Sequence, residues 1–174
     1  GDHFITLPVL RAYAQKYGPM SVIHFDAHSD LWPDDDMARI DHGTFFYKAV
    51  KTGIIDPKTS VQIGIRTHCD DYLGVEFIDA RTVHEKGVAY AVARAKAIVG
   101  QNPTYVTFDI DCLDPSAAPG TGTPVWGGLH SWQAAAALRD LAGINMVGGD
   151  IVEVSPAYDT SGATAIAGAH VAHE

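Results

Sequence analysis

The sequence has little cysteine and no long apolar run. Its 174 residues include two cysteines, Cys69 and Cys112, which are too few for a disulfide framework and indicate a reducing, cytoplasmic compartment. No apolar stretch approaches the ~20 residues that span a bilayer, so we expect no membrane segment. The formal net charge of −9 disfavours nucleic acid as a partner and favours small cations.

What the sequence does contain is an alternation of short β-rich runs with helical stretches. Strands are predicted at Ser21–Phe25, Val61–Arg66, Glu76–Asp79, Thr104–Phe108 and Asn145–Val152. Helices are predicted at Phe4–Tyr17, Thr44–Thr52, Val83–Val99, Ser131–Ala142 and Thr160–Ala172. Such alternation is typical of an α/β domain with a mainly parallel sheet. Sites in these domains lie beyond the carboxyl ends of the strands.

Two of the predicted strands end in side chains that bind metals. In "SVIHFDAHSD" the polar residues after the first strand alternate, and an extended chain turns alternate residues to one side. In "TYVTFDIDCLDP" an Asp-x-Asp pair follows the fourth strand. With an imidazole near the start of the chain, the candidate ligands are His3, Asp26, His28, Asp30, Asp109 and Asp111.

These two imidazoles and four carboxylates exceed what one tetrahedral ion needs. Carboxylates can bridge, so the set suits a pair of hard or borderline divalent ions such as Mn²⁺. Two ions ~3.5–4 Å apart can share a water and activate it as a nucleophile. Alone, an Asp-x-Asp pair is more typical of a turn or a helix cap, and His28 of a packed histidine. Their recurrence at two strand ends favours the metal site.

The motifs resemble those of the ureohydrolases, the manganese enzymes that include arginase and agmatinase. The resemblance lies in "GDH", "HFDAHSD", "DHGTFF", "TFDIDCLDPSAAPGTGTP" and "VEVSPAYD", and "DHGTFFYKAVKTGIIDPKTSVQIGIRT" is most like the agmatinase branch. It implies a three-layer αβα fold with five of the family's eight strands, in the spatial order five, four, one, two, three. It also implies that residues 1–174 are the later part of a catalytic domain, truncated at the front and near the end, whose full-length members form homo-oligomers.

The resemblance further implies roles for individual residues. One Mn²⁺ would be held by His3, Asp26, Asp30 and Asp109, and the other by His28, Asp26, Asp109 and Asp111. His42 would shuttle a proton, Glu153 would accept hydrogen bonds from the guanidinium group, and Asp111 offers a second route for the proton. Without the resemblance, His42 is interpreted as a helix-start residue and Glu153 as part of an ion pair at a strand end.

The implied reaction is hydrolysis of a guanidine C–N bond by a metal-bridging hydroxide, converting agmatine and water to putrescine and urea. The interval "LWPDDDMARID" lacks the Ser-Gly-Asn pattern through which arginase recognises the α-carboxylate, which favours a substrate without that group. One alternative is a guanidinobutyrase or guanidinopropionase, in which Arg39 would meet a carboxylate. Another is a metal-binding fragment without activity. The run Asp34–Asp36 is either a solvated loop or a rim that attracts cations.

Overall fold

The computed structural model describes all 174 residues, and its centre is one parallel sheet. The strands are β1 Ser21–Phe25, β2 Val61–Ile63, β3 Glu76–Ile78, β4 Thr104–Asp109 and β5 Met146–Val152. Their order across the sheet is β3-β2-β1-β4-β5, and every neighbouring pair is parallel. This confirms the predicted fold class and the predicted strand order.

Helices cover both faces of the sheet. They are α1 Thr6–Tyr17, α2 Phe45–Lys51, α3 Ala80–Lys86, α4 Val88–Val99, α5 Ser131–Asp140 and α6 Ala163–His173. The first two pack on one face and the other four on the opposite face, which gives the three layers. Single 3₁₀ turns occupy His3–Ile5, His42–Thr44, Pro57–Thr59, Ile110–Cys112 and Pro156–Tyr158. Every helix is too short or too polar to cross a membrane.

The core divides along the two faces of β1, a central strand that is buried throughout. Ile23 and Phe25 join the cluster beneath α3–α6, where the ring of Phe25 stacks on Phe108 at 5.2 Å. Val22 turns to the opposite cluster, beneath α1 and α2. A strand buried on both faces has a nearly continuous apolar sequence, as this one has before its acidic end.

Two predicted elements are wrong in extent, and a glycine accounts for each. The predicted helix Val83–Val99 is two helices, because Gly87 with φ 86° interrupts it between α3 and α4. The predicted strand Val61–Arg66 ends at Ile63, because Gly64 has φ 99° and leaves the extended conformation. The remaining elements are present with ends shifted by three residues or fewer.

Candidate metal centre

The ends of β1 and β4 build the site with the same local turn. A side-chain oxygen of Asp26 accepts a hydrogen bond from the amide of His28 at 2.6 Å, and one of Asp109 accepts from the amide of Asp111 at 2.8 Å. Each aspartate thus stabilises a turn directly after its strand, by accepting a hydrogen bond from the amide two residues further on. The expectation of an extended chain through Asp30 is wrong, because Asp30 has φ 51°. The acidic side chains still lie close together, because the chain turns after the strand rather than continuing as an extended strand.

His3 faces three of these carboxylates. Its Nδ1 lies 3.1 Å from Asp26 Oδ2, 3.3 Å from Asp30 Oδ2 and 3.1 Å from Asp109 Oδ2. All four residues are buried, and Nδ1 has no hydrogen-bond partner. A buried, unpartnered imidazole nitrogen directed at three carboxylates is the arrangement that a cation completes.

A second group adjoins the first at Asp26. His28 Nδ1 lies 3.4 Å from Asp26 Oδ1 and 3.1 Å from Asp111 Oδ2. Asp111 is held in place by the amide of Ala27, which donates to its Oδ1 at 3.0 Å. The six predicted ligands therefore come together as two groups that share one carboxylate, and this mixed nitrogen and oxygen set fits hard or borderline divalent ions.

The mutual repulsion of the buried carboxylates is what a bound cation would relieve. Burial, reinforced by the charge of Asp26, raises the pKa of both Asp30 and Asp109 well above the usual range. Burial would also raise the pKa of Asp26, but His24 and His28 outweigh it and hold that pKa well below its ordinary value. Carboxylates this close cannot all remain ionised without positive charge beside them.

A hydrogen-bond relay behind His3 fixes its ring. Thr107 Oγ1 donates to Asp150 Oδ1 at 2.5 Å, so its oxygen is left to accept from His3 Nε2 at 2.9 Å. Thr6 and Tyr105 also donate to Asp150, at 2.8 and 2.9 Å. The proton of His3 is thereby placed on Nε2, and Nδ1 remains free to face the carboxylates. Sequence reasoning missed this relay, whose only sequence signal is an acid inside the apolar run "MVGGDIVEV".

A second relay orients Asp26. The amide nitrogen of Gln62 donates to His24 Nδ1 at 3.0 Å and to the carbonyl of Ser29 at 2.6 Å. His24 therefore carries its proton on Nε2, which donates to Asp26 Oδ2 at 2.6 Å. Burial lowers the pKa of His24, in keeping with a neutral ring. His24 thus hydrogen-bonds within the sheet, since Gln62 is its register partner on β2.

A cavity of about 950 Å³ opens over the cluster, and both His42 and Glu153 line it. Glu153 Oε1 accepts from the amide of His3 at 2.6 Å, and the amide of Glu153 donates to the Gly1 carbonyl at 2.8 Å. His42 opens a 3₁₀ turn and its Nδ1 lies 3.4 Å from Asp2 Oδ2. The two predicted residues thus lie together at the cavity wall, and Asp2 is a neighbour that the sequence did not indicate.

The loop between Asp30 and His42 also lines the cavity, and three of its charged residues, Asp34, Arg39 and Asp41, form ion pairs. Arg39 donates to Asp41 Oδ2 at 2.7 Å. Asp34 Oδ2 lies 3.0 Å from the Nζ of Lys48, which is buried. Asp34 is therefore neither a solvated loop residue nor part of a cation-attracting rim, since it is an ion-pair partner of the protein itself. The rest of the run Asp34–Asp36 is exposed, as expected for a solvated loop.

A parallel αβα sheet whose central strands end in a buried cluster of carboxylates and imidazoles is the architecture of the arginase family. The chain belongs to that family, whose sequence model matches residues 1–174. The chain is 58% identical over 173 residues to the agmatinase of Chromobacterium violaceum, covering 99% of this chain and 54% of that protein. It therefore spans about half the length of the curated relatives that it matches.

Solved structures agree with this assignment. A hypothetical agmatinase from Burkholderia thailandensis superposes with a TM-score of 0.98 at 63% identity, over 99% of this chain and 55% of that one. The proclavaminate amidino hydrolase of Streptomyces clavuligerus superposes with a TM-score of 0.94 at 44% identity, over 98% of this chain and 59% of that one.

Proposed function

We propose that the protein to which this chain belongs hydrolyses the guanidine C–N bond of agmatine, giving putrescine and urea. The observation that carries the proposal is the unpartnered Nδ1 of His3, which faces three buried carboxylates beneath an open cavity. This nitrogen lies within ion-pair distance of the three carboxylates but makes no hydrogen bond to them, an arrangement that a bound metal ion would complete. The identity to proteins named agmatinase supports the same reaction class.

Two Mn²⁺ ions are the cofactors in this proposal. His3, Asp26, Asp30 and Asp109 would hold one ion, and His28, Asp26, Asp109 and Asp111 the other. The adjoining of the two groups at Asp26 supports a shared, bridging carboxylate. When bound, the ions supply Lewis acidity that activates a water near neutral pH and stabilises negative charge on the substrate.

The remaining chemistry falls to the residues of the cavity wall. Glu153 accepts hydrogen bonds from the guanidinium group, a role supported by its place beside His3 and its opening to the cavity. His42, with a side chain 57% exposed at the mouth, passes a proton to the leaving amine. Asp111 provides the second route for that proton.

Charge in the cavity supports a cationic substrate. Arg39, which would otherwise meet a carboxylate, is paired with Asp41, and Asp70 and Asp71 also line the cavity. This favours agmatine over guanidinobutyrate or guanidinopropionate. Both cysteines are free thiols, which supports the cytoplasm as the site of action. Assembly into homo-oligomers stays a prediction.

The test is urea release by the Mn²⁺-loaded chain with agmatine, arginine, guanidinobutyrate and guanidinopropionate in parallel. We expect turnover of agmatine, lost in an Asp26→Asn variant and retained in an Asp140→Asn variant on the distant end of α5. Preference for a substrate bearing a carboxylate would support guanidine hydrolysis but contradict agmatine as the substrate. If a folded, metal-loaded chain released no urea from any of the four compounds, the alternative of a metal-binding fragment without activity would be favoured.

A further inference from the structure

Lys48 is a buried cation that the proposed chemistry does not use. It lies on α2 and its side chain is 0% exposed, which is rare for lysine unless the ammonium group is paired. Its Nζ donates to the carbonyls of Asp36 at 2.9 Å and Arg39 at 2.5 Å, and lies 3.0 Å from Asp34 Oδ2. All three acceptors belong to residues 32–41, which we call the entrance loop.

The middle of the entrance loop is not anchored by apolar side chains. It contains no helix or strand, and its large apolar side chains face solvent: Trp32 is 61% exposed, Met37 40% and Ile40 76%. Hydrogen bonds hold its two ends, because the amide of Trp32 donates to the Gly43 carbonyl and the carbonyl of Asp41 accepts from the amide of Thr44. Apolar burial therefore does not anchor the middle of the loop, and three contacts to a single ammonium group do.

This loop forms one wall of the cavity over the metal cluster. Trp32, Pro33, Arg39 and Asp41 all line it, and His42 follows directly. The candidate metal ligands, in contrast, are fixed by turns at strand ends and by the relays behind them. Movement of the entrance loop would therefore displace the part of the cavity that meets the substrate beyond its guanidinium group, and leave the cluster intact.

We propose that Lys48 is a positioning residue that fixes the entrance loop and so sets the affinity for the distal part of the substrate. The choice of agmatine as substrate rests on the proposed function, whereas the role of Lys48 in fixing the loop rests on its contacts alone. The ammonium group acts through Arg39 and Asp41 and does not touch the substrate. A displacement of about 1 Å in such a wall is enough to change rates and affinities by one or two orders of magnitude.

The test compares Lys48→Met with Lys48→Arg, which keeps the positive charge and the donors. Lys58→Met is the matched control, because Lys58 is exposed and lies in a different turn. We expect Lys48→Met to raise the KM for agmatine about tenfold or more while kcat changes by less than about threefold. Lys48→Arg should recover most of that loss, and Lys58→Met should match the parent chain.

Hydrogen exchange of the entrance loop, followed by mass spectrometry, provides a readout independent of turnover. Lys48→Met should speed exchange in residues 32–41, with Mn²⁺ binding unchanged. If Lys48→Met does not fold, Asp34→Asn takes its place, since it removes only the charge of one acceptor. Unchanged exchange in the loop, or a loss confined to kcat, would overturn the proposal. A parent chain that releases no urea but shows the exchange difference would refute agmatine hydrolysis by this chain and leave the loop assignment standing.

Discussion

Replacing Thr107 by valine should break the relay behind His3 without changing the shape of the core. The hydroxyl is buried, donates to Asp150 and accepts from His3 Nε2. Its removal leaves the buried Nε2 donor of His3 and the half-buried carboxylate of Asp150 without that partner, which costs about 1–3 kcal/mol of unfolding free energy. Because His3 then loses its fixed orientation, Mn²⁺ affinity should also fall roughly 10–100-fold.

The assay is urea unfolding in the presence of a chelator, together with calorimetric titration of Mn²⁺. Thr121→Val is the matched control, because Thr121 is equally buried but its Oγ1 has no hydrogen-bond partner. That variant should be neutral or slightly stabilising. Equal unfolding free energies and equal Mn²⁺ affinities for the two valine variants would refute the relay as an organiser of the site.

Three further predictions concern pH and backbone. Burial alone would lower the pKa of His28. Its hydrogen bonds, of which the one to Asp111 has the largest effect, instead raise the pKa to about 10 when no metal is bound. This raised pKa contributes stability that is complete below about pH 6.5 and lost as the pH rises towards 10. Urea unfolding with chelator should show that decline, and a His28→Asn variant with the same slope would contradict it. Hydrogen bonds to Asp114, of which the one from Ser116 has the largest effect, lower its pKa to about 2. The stability that this carboxylate contributes is therefore present above about pH 4 and lost as the pH falls through about 2. Asp114→Asn should flatten acid unfolding followed by circular dichroism, and an unaltered acid transition would count against this. Finally, Gly64→Ala should cost about 1–3 kcal/mol in thermal unfolding, because φ is +99° and the new Cβ would lie 2.7 Å from a buried cysteine sulfur. A wild-type melting temperature would disprove that argument.

The sequence predicted those parts of the site that follow from a buried strand and its end. An apolar run that stops at Asp26 or Asp109 marks the edge of a parallel sheet, and the chemistry of the acids then suggests a metal. The partners that orient these ligands were not predictable in the same way. Asp150 is brought to Thr107, and Gln62 to His24, by the sheet register, and a single sequence contains no signal for which residues become neighbours across strands.

Lys48 illustrates a different limit. Its position in "FFYKAVK" is compatible with an ordinary solvent-facing lysine of a helix. What buries it is a loop whose course is determined by hydrogen bonds rather than by any repeating pattern. The break at Gly87 was also not predictable. Its φ of 86° ends the helix, but the periodic pattern of apolar residues continues through it.

The hydrogen bond from the His3 amide to Glu153 joins residues 150 positions apart. The site is therefore closed by the last strand, although its acids are all present much earlier in the chain. As synthesis proceeds from the amino end, Asp26 and its neighbours exist before Asp150 of β5 and the following Glu153. Contacts of such long range slow folding and leave intermediates exposed. The mutually repelling acids therefore become a finished centre only once β5 and Glu153, which follow them in the sequence, are in place.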